Sequence, residues 1–139
     1  MALLAALAAA VALAPATVTL STHAHGAADV RASVTFTTLL QCGQPQGGVA
    51  VTWPGAVPPS IATSAVLLDK QPVAVASVAG HTVTVKAARG EVTCDSLVVG
   101  PATVTFAATA GLANPRVAGT YTVTVRNNGR IAAARVRIR

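Results

Sequence analysis

The sequence predicts an all-β protein: an antiparallel sandwich of seven to nine short strands, preceded by an apolar N-terminal helix. Three observations carry that expectation. Apolar residues alternate with Thr and Ser at period two almost throughout the chain after Ala16. Pro, Gly and Asn interrupt the alternation at short intervals, as turns between short strands require. The C-terminal stretch "GTYTVTVRNNGRIAAARVRIR" reads as a hairpin whose turn chemistry and hydrophobic pattern demand one and the same register.

The elements follow in chain order. "MALLAALAAAVALAPA" carries an uncharged run from Ala2 to Ala14, shorter than the roughly 20 residues a membrane-spanning helix needs. Ala14-Pro15-Ala16 has the small-x-small spacing of a signal-peptidase site. The expected organisation is therefore a signal peptide over 1–16 and a β-sandwich domain over 17–139, with no transmembrane segment in the mature chain. "ASVTFTTLL" sets Val34 and Phe36 on one face and Thr35 and Thr37 on the other. "GGVAVTWPG" aligns Val49, Val51 and Trp53 before Pro54 ends the strand. "AVLLDKQPVAVASVAGHTVTVKA" reads as a three-strand meander, turned at Asp69-Lys70-Gln71-Pro72 and at Gly80-His81. "ATVTFAATA" aligns Val104 with Phe106. In the final hairpin an Asn128-Gly129 type I′ turn sets Val125 opposite Ala132, Val123 opposite Ala134 and Tyr121 opposite Val136. Thr122 and Arg135, and Thr120 and Arg137, then share the other face.

Composition narrows the class. At 139 residues the chain fits one domain. Hydrophobic residues reach 53% but aromatics only 3%, so the core is built from small β-branched side chains. Ten Lys and Arg against four Asp and Glu give a net charge of +6, a balance that favours acidic partners such as wall polyanions, glycans or nucleic acid. The two cysteines, Cys42 and Cys94, stand 52 residues apart with no third thiol, which excludes the close pairs of Cys-based metal sites. In an exported chain they are expected to form a disulfide. The order Cys42, Trp53, Cys94 matches an immunoglobulin-like sandwich, in which a Trp packs on an inter-sheet disulfide. Val92 occupies the place of the tyrosine that antibody domains carry two residues before the second cysteine, so the match is one of architecture.

"VTWPGAVPPSIATSAVLLDKQPVAVASVAGHTVTV" followed by "GLANPRVAGTYTVTV" resembles the Thr-rich, immunoglobulin-like modules of secreted and surface-attached bacterial proteins. The resemblance covers roughly residues 17–127. It implies a secreted or cell-surface location, a structural or adhesive role, and other domains of a larger surface protein as neighbours. It supplies no site residues.

Few residues are placed for chemistry. The acids Asp29, Asp69, Glu91 and Asp95 offer no carboxylate pair facing across a cleft, and no G-x-S-x-G elbow, H-E-x-x-H helix or phosphate loop is present. The expected function is non-catalytic and without cofactor. His23 and His25, at i and i+2, are weak metal candidates, with only His81 or Asp29 available to complete a site. Arg126, Arg130, Arg135, Arg137 and Arg139 form a basic stripe that either guards an edge strand or holds an acidic polymer. Specific nucleic-acid binding is not expected, because no aromatics interleave with the arginines. Trp53 is expected in the core rather than under a sugar. The Thr-x-Thr pairs lack the fixed repeat length of an ice-binding lattice.

Overall fold

The computed structural model describes residues 14–40, 48–87, 98–127 and 129–139. Ten strands make up these segments: β1 (Ala14–Pro15), β2 (Thr17–Leu20), β3 (Ala32–Leu40), β4 (Val49–Thr52), β5 (Val66–Leu68), β6 (Gln71–Ala79), β7 (Thr82–Ala87), β8 (Val98–Phe106), β9 (Gly119–Asn127) and β10 (Arg130–Ile138). Single 3-10 turns at Thr63–Ala65 and Ala108–Ala110 are the only helical pieces among the described residues.

The strands form one sheet in the order β1-β10-β9-β4-β7-β6-β5-β8-β3-β2. The two ends of that order, β1 and β2, are consecutive in the chain and separated only by Ala16. The sheet therefore curls round until its first and last strands become one continuous segment, a nearly closed all-β body. Pairing is antiparallel throughout except between β1 and β10, which run parallel. Closure leaves the expected processing point inside the fold. Ala14 and Pro15 pair with Ala132 and Ala133, and buried Ala16 donates its N–H to the Ala133 carbonyl. Residues 1–13, where the signal helix is expected, lie outside the described residues.

β6 is the strand that turns the corner. Its first residues, Gln71 and Pro72, pair with β5, whereas Val73 onward pairs with β7, with a shift in register between Val73 and Val75. An extra residue at such a point bends the strand and increases its twist. The corner divides the sheet into a first layer (β10, β9, β4, β7) and a second layer (β5, β8, β3, β2). The turn before β6 is tighter than the four-residue one expected from Asp69-Lys70-Gln71-Pro72. Asp69 and Lys70 alone form it, both at positive φ (50° and 64°), and Leu68 pairs directly with Gln71. Asp69 is held there by β8, accepting the Thr103 N–H on its Oδ1 at 2.8 Å and donating its own N–H to the Thr103 carbonyl at 2.8 Å.

The inward faces of both layers fill one core. Val34, Phe36, Val66, Val104 and Phe106 come from the second layer, and Val51, Val83, Val85, Val123 and Val125 from the first. As the composition requires, valine dominates and few rings contribute. Trp53 is the largest of them, 2% exposed, with its indole N–H donated to the Ala113 carbonyl at 2.8 Å. Beside it the chain passes so close that a Cβ on Gly55 would fall 1.8 Å from the Ala113 carbonyl oxygen. Only glycine fits that crossing.

The C-terminal hairpin has the expected register: Val125 faces Ala132, Val123 faces Ala134 and Tyr121 faces Val136. Gly129 sits at φ 75°, the left-handed conformation a two-residue turn demands, while its turn partner Asn128 lies outside the described residues. The arginine-rich strand is not the bare edge its charges alone would imply. β1 covers its start, and at its end Arg139 exchanges backbone hydrogen bonds with His23 and His25.

Candidate functional site

The outward face of the first layer carries the charge. Along β10, Arg135 and Arg137 alternate with buried Val136 and Ile138, and Arg139 continues the same phase past the strand end; all three arginines are exposed. β9 adds exposed Arg126, opposite Ile131 on one side and Ala50 on the other. Exposed Lys86 extends the face on β7. Between these cations stand Thr120 opposite Arg137, Thr122 opposite Arg135, and the Thr124–Thr52–Thr82 row. Arg130 is not part of this group. It has the phase of inward Ala132 and Ala134 and pairs with buried Asn127 beside the turn. No acidic residue occurs on β4, β6, β7, β9 or β10.

The second layer offers the opposite surface. Its outward rows are Thr17–Thr35–Thr103 and Thr19–Ser33–Thr105–Leu67. No charged residue occurs on β2, β3, β5 or β8. The Thr35 and Thr103 hydroxyls hydrogen-bond across strands at 2.9 Å.

One end of the second layer runs past its neighbours. The β3–β8 ladder extends from Ala32 opposite Phe106 to Leu40 opposite Val98. β2 flanks β3 only as far as Thr35, and β5 flanks β8 only over Val104–Phe106. Among the described residues, the stretch beyond is a two-stranded ribbon. It ends with Leu39 paired to Val99 and Leu40 paired to Val98. Elsewhere, the corner around β6 leaves apolar side chains in solvent: Leu67 is 38% exposed and Val75 43%, with exposed Pro72 and Ala74 between them in the chain.

The remaining candidates separate. His23 and His25 are exposed, and each donates its Nδ1–H to a backbone carbonyl: His23 to Arg137 at 2.9 Å and His25 to Arg139 at 2.7 Å. Buried Asn114 fixes the same segment, donating from Nδ2 to the carbonyls of Thr22 (3.0 Å) and Ala24 (2.9 Å). The two imidazoles thus fasten the chain to the end of β10. His81 is engaged elsewhere, with its Nδ1 on the Gly55 carbonyl. Among the described residues no three His, Cys, Asp or Glu come together to hold a metal ion. Nor, among those residues, is any helix long and apolar enough to cross a membrane. Asp29 and Asp69 both sit in turns at positive φ, while Glu91 and Asp95 lie outside the described residues. Cys42 and Cys94 lie outside them too. Their anchor points are adjacent, because Cys42 follows Leu40 by two residues, Cys94 precedes Val98 by four, and Leu40 pairs with Val98.

No protein-family model and no curated protein matches the sequence. The fold has a counterpart among solved structures. The chain is similar to BslA, described as a bacterial hydrophobin, with a TM-score of 0.56 at 18% identity, over 91% of this chain and 98% of that one. At that identity the likeness is one of fold. A family 20 exo-β-N-acetylglucosaminidase from Vibrio harveyi also aligns, with a TM-score of 0.35 at 12% identity, over 92% of this chain and 18% of that one. A score so low carries no inference about this protein.

Three features escaped the sequence reading. Lys86 belongs with the arginines only because β9, β4 and β7 are neighbours in space. Asn114 is followed by a proline in the sequence, and its burial against the histidine segment has no local signature. The pairing of Leu39 with Val99 and of Leu40 with Val98 joins residues 60 and 58 positions apart, which no local pattern announces.

Proposed function

We propose that this protein is a non-catalytic, secreted structural module of the bacterial cell surface that acts at boundaries between water and an apolar phase. The observation that carries the reading is the set of large apolar side chains left in solvent: Leu67 and Val75 at the β6 corner, and Val117, 70% exposed, in the loop before β9. Burying a Leu or Val side chain fully is worth about 1.5–3 kcal/mol, so three such residues entering an apolar phase supply about 4.5–9 kcal/mol as an upper bound. A gain of that size is comparable to the lower part of the roughly 4–15 kcal/mol that association costs in translational and rotational freedom. The description of BslA as a hydrophobin supports this reading, and so does the likeness in fold along nearly the whole chain. Two layers enclosing one core fit the immunoglobulin-like, Thr-rich module that the sequence resembles.

Pendant-drop tensiometry tests the proposal. The purified protein is expected to lower the surface tension of buffer, and Leu67→Glu/Val75→Glu/Val117→Glu to slow adsorption severalfold. Leu67→Glu, at a side chain already in solvent, is expected to have a smaller effect in the same direction. Melting curves establish that each variant is folded. Folded variants that adsorb as fast as the parent protein would overturn the assignment.

A further inference from the structure

We propose that the outward face of the first layer is a binding surface for an acidic polysaccharide, held by Arg126, Arg135, Arg137 and Lys86. This inference is independent of the exposed apolar side chains, since it rests on different residues and a different force. Arg135, Arg137 and Arg139 succeed one another at every second residue of an extended chain, about 7 Å apart. Arg126 and Lys86 carry positive charge across the neighbouring strands. With no acidic residue on the strands of this face, the cations repel one another and nothing on the face neutralises them. An anionic chain laid along β10 supplies the missing charge.

The chemistry between the charges selects the kind of polymer. Thr120 and Thr122 stand directly opposite Arg137 and Arg135, so hydroxyls alternate with guanidiniums across the face. Sugar hydroxyls can exchange hydrogen bonds with threonine, while carboxylates on the same chain accept paired N–H donors from arginine. Nucleic acid fits less well. Duplex DNA carries a charge every 1.7 Å or so, about four times the density of the arginine row. Single strands require stacking partners, and the rings nearby are turned away: Trp53 is buried, and Tyr121 has the inward phase with its hydroxyl donated to the Val117 carbonyl at 2.7 Å.

Binding of the intact protein to alginate, a carboxylated polysaccharide, tests the proposal, with neutral dextran and duplex DNA as comparison ligands. Alginate is expected to bind, dextran not to, and DNA more weakly than alginate at equal charge concentration. Arg126→Gln/Arg135→Gln/Arg137→Gln is expected to weaken alginate binding at least tenfold with an unchanged melting temperature, since all three side chains are in solvent. Replacing the same residues by Lys keeps the charge but loses the paired donors, so it is expected to restore only part of the affinity. About 1 M NaCl, where the screening length falls to about 3 Å, is expected to abolish binding. Alginate binding that survives the Gln variant or the salt, or tighter binding to DNA, would refute the assignment.

Discussion

The two outward faces of this barrel are built on nearly the same backbone and carry opposite chemistry. On the first layer, strands of alternating Val and Thr also hold Arg126, Arg135, Arg137 and Lys86. On the second, strands of the same pattern hold no charge at all. The inward positions scarcely differ, being valine with an occasional ring on both sides. Alternation therefore decides that a segment becomes a strand and which of its faces is buried, while saying nothing about what the other face does. Function is written on the positions that folding leaves free.

Both faces rest on one core, so the largest expected effect removes them together. Trp53 packs between the layers and donates its indole N–H to Ala113. Trp53→Ala takes away the largest buried side chain and leaves the partly buried Ala113 carbonyl without that donor. The expected loss is about 3–5 kcal/mol, a large fraction of the stability of a domain this size. Thermal unfolding followed by circular dichroism, with hydrogen exchange read separately on β9 and β3, should show both layers losing protection in one transition. If the layers came apart at separate temperatures, the picture of two faces on one cooperative body would be broken.

A second effect acts where the chain passes between the layers. Residues 41–47 carry it from β3 in the second layer to β4 in the first, and residues 88–97 carry it back from β7 to β8. Each segment holds one cysteine; the first follows Leu40, the second precedes Val98, and Leu40 pairs with Val98. A disulfide between Cys42 and Cys94 would tie one crossover to the other. Closing a loop of about 50 residues contributes roughly 4 kcal/mol in the chain-entropy account, and engineered cases often yield less. Cys42→Ala/Cys94→Ala is therefore expected to cost about 2–4 kcal/mol, and the secreted protein to show no free thiol under denaturing, non-reducing conditions. Two titratable thiols would sink the bridge.

The contrast between the faces also marks how much could be read from sequence. The hairpin of β9 and β10 was legible to the residue, because its turn and its alternation are local and must agree. Period two placed Val34, Phe36, Val51, Trp53, Val104 and Phe106 in the core for the same reason. Sheet closure was not legible. Ala14 and Pro15 look like the tail of an apolar leader, and their partners Ala132 and Ala133 lie at the opposite end of the chain. The basic face was half legible: phase along β10 grouped Arg135, Arg137 and Arg139, but Arg130 was grouped with them though its phase is inward, and Lys86 was missed. Phase along one strand is a local property, whereas membership of a face depends on which strands become neighbours, a matter of long-range packing.

The smallest expected effect compares the faces at matched positions. Among the described residues, each face has one threonine pair bonded through its hydroxyls: Thr35 with Thr103 at 2.9 Å on the second layer, and Thr52 with Thr82 at 3.1 Å on the first. The first of these pairs is partly buried and the second lies in solvent. Thr→Val keeps the β-branched shape and the strand preference while deleting only the hydroxyl. Cross-strand pairs of this kind are worth about 0.2–1 kcal/mol, and water competes for the hydroxyls wherever it can reach them. A double-mutant cycle on Thr35 and Thr103 should give a coupling near the top of that range, and the cycle on Thr52 and Thr82 one near the bottom. The single variants should order the same way, since a lone hydroxyl left on the second layer has less access to solvent than one left on the first. Equal couplings in the two cycles would mean that the second layer is as wet as the first, and that absence of charge is then the only property distinguishing its surface.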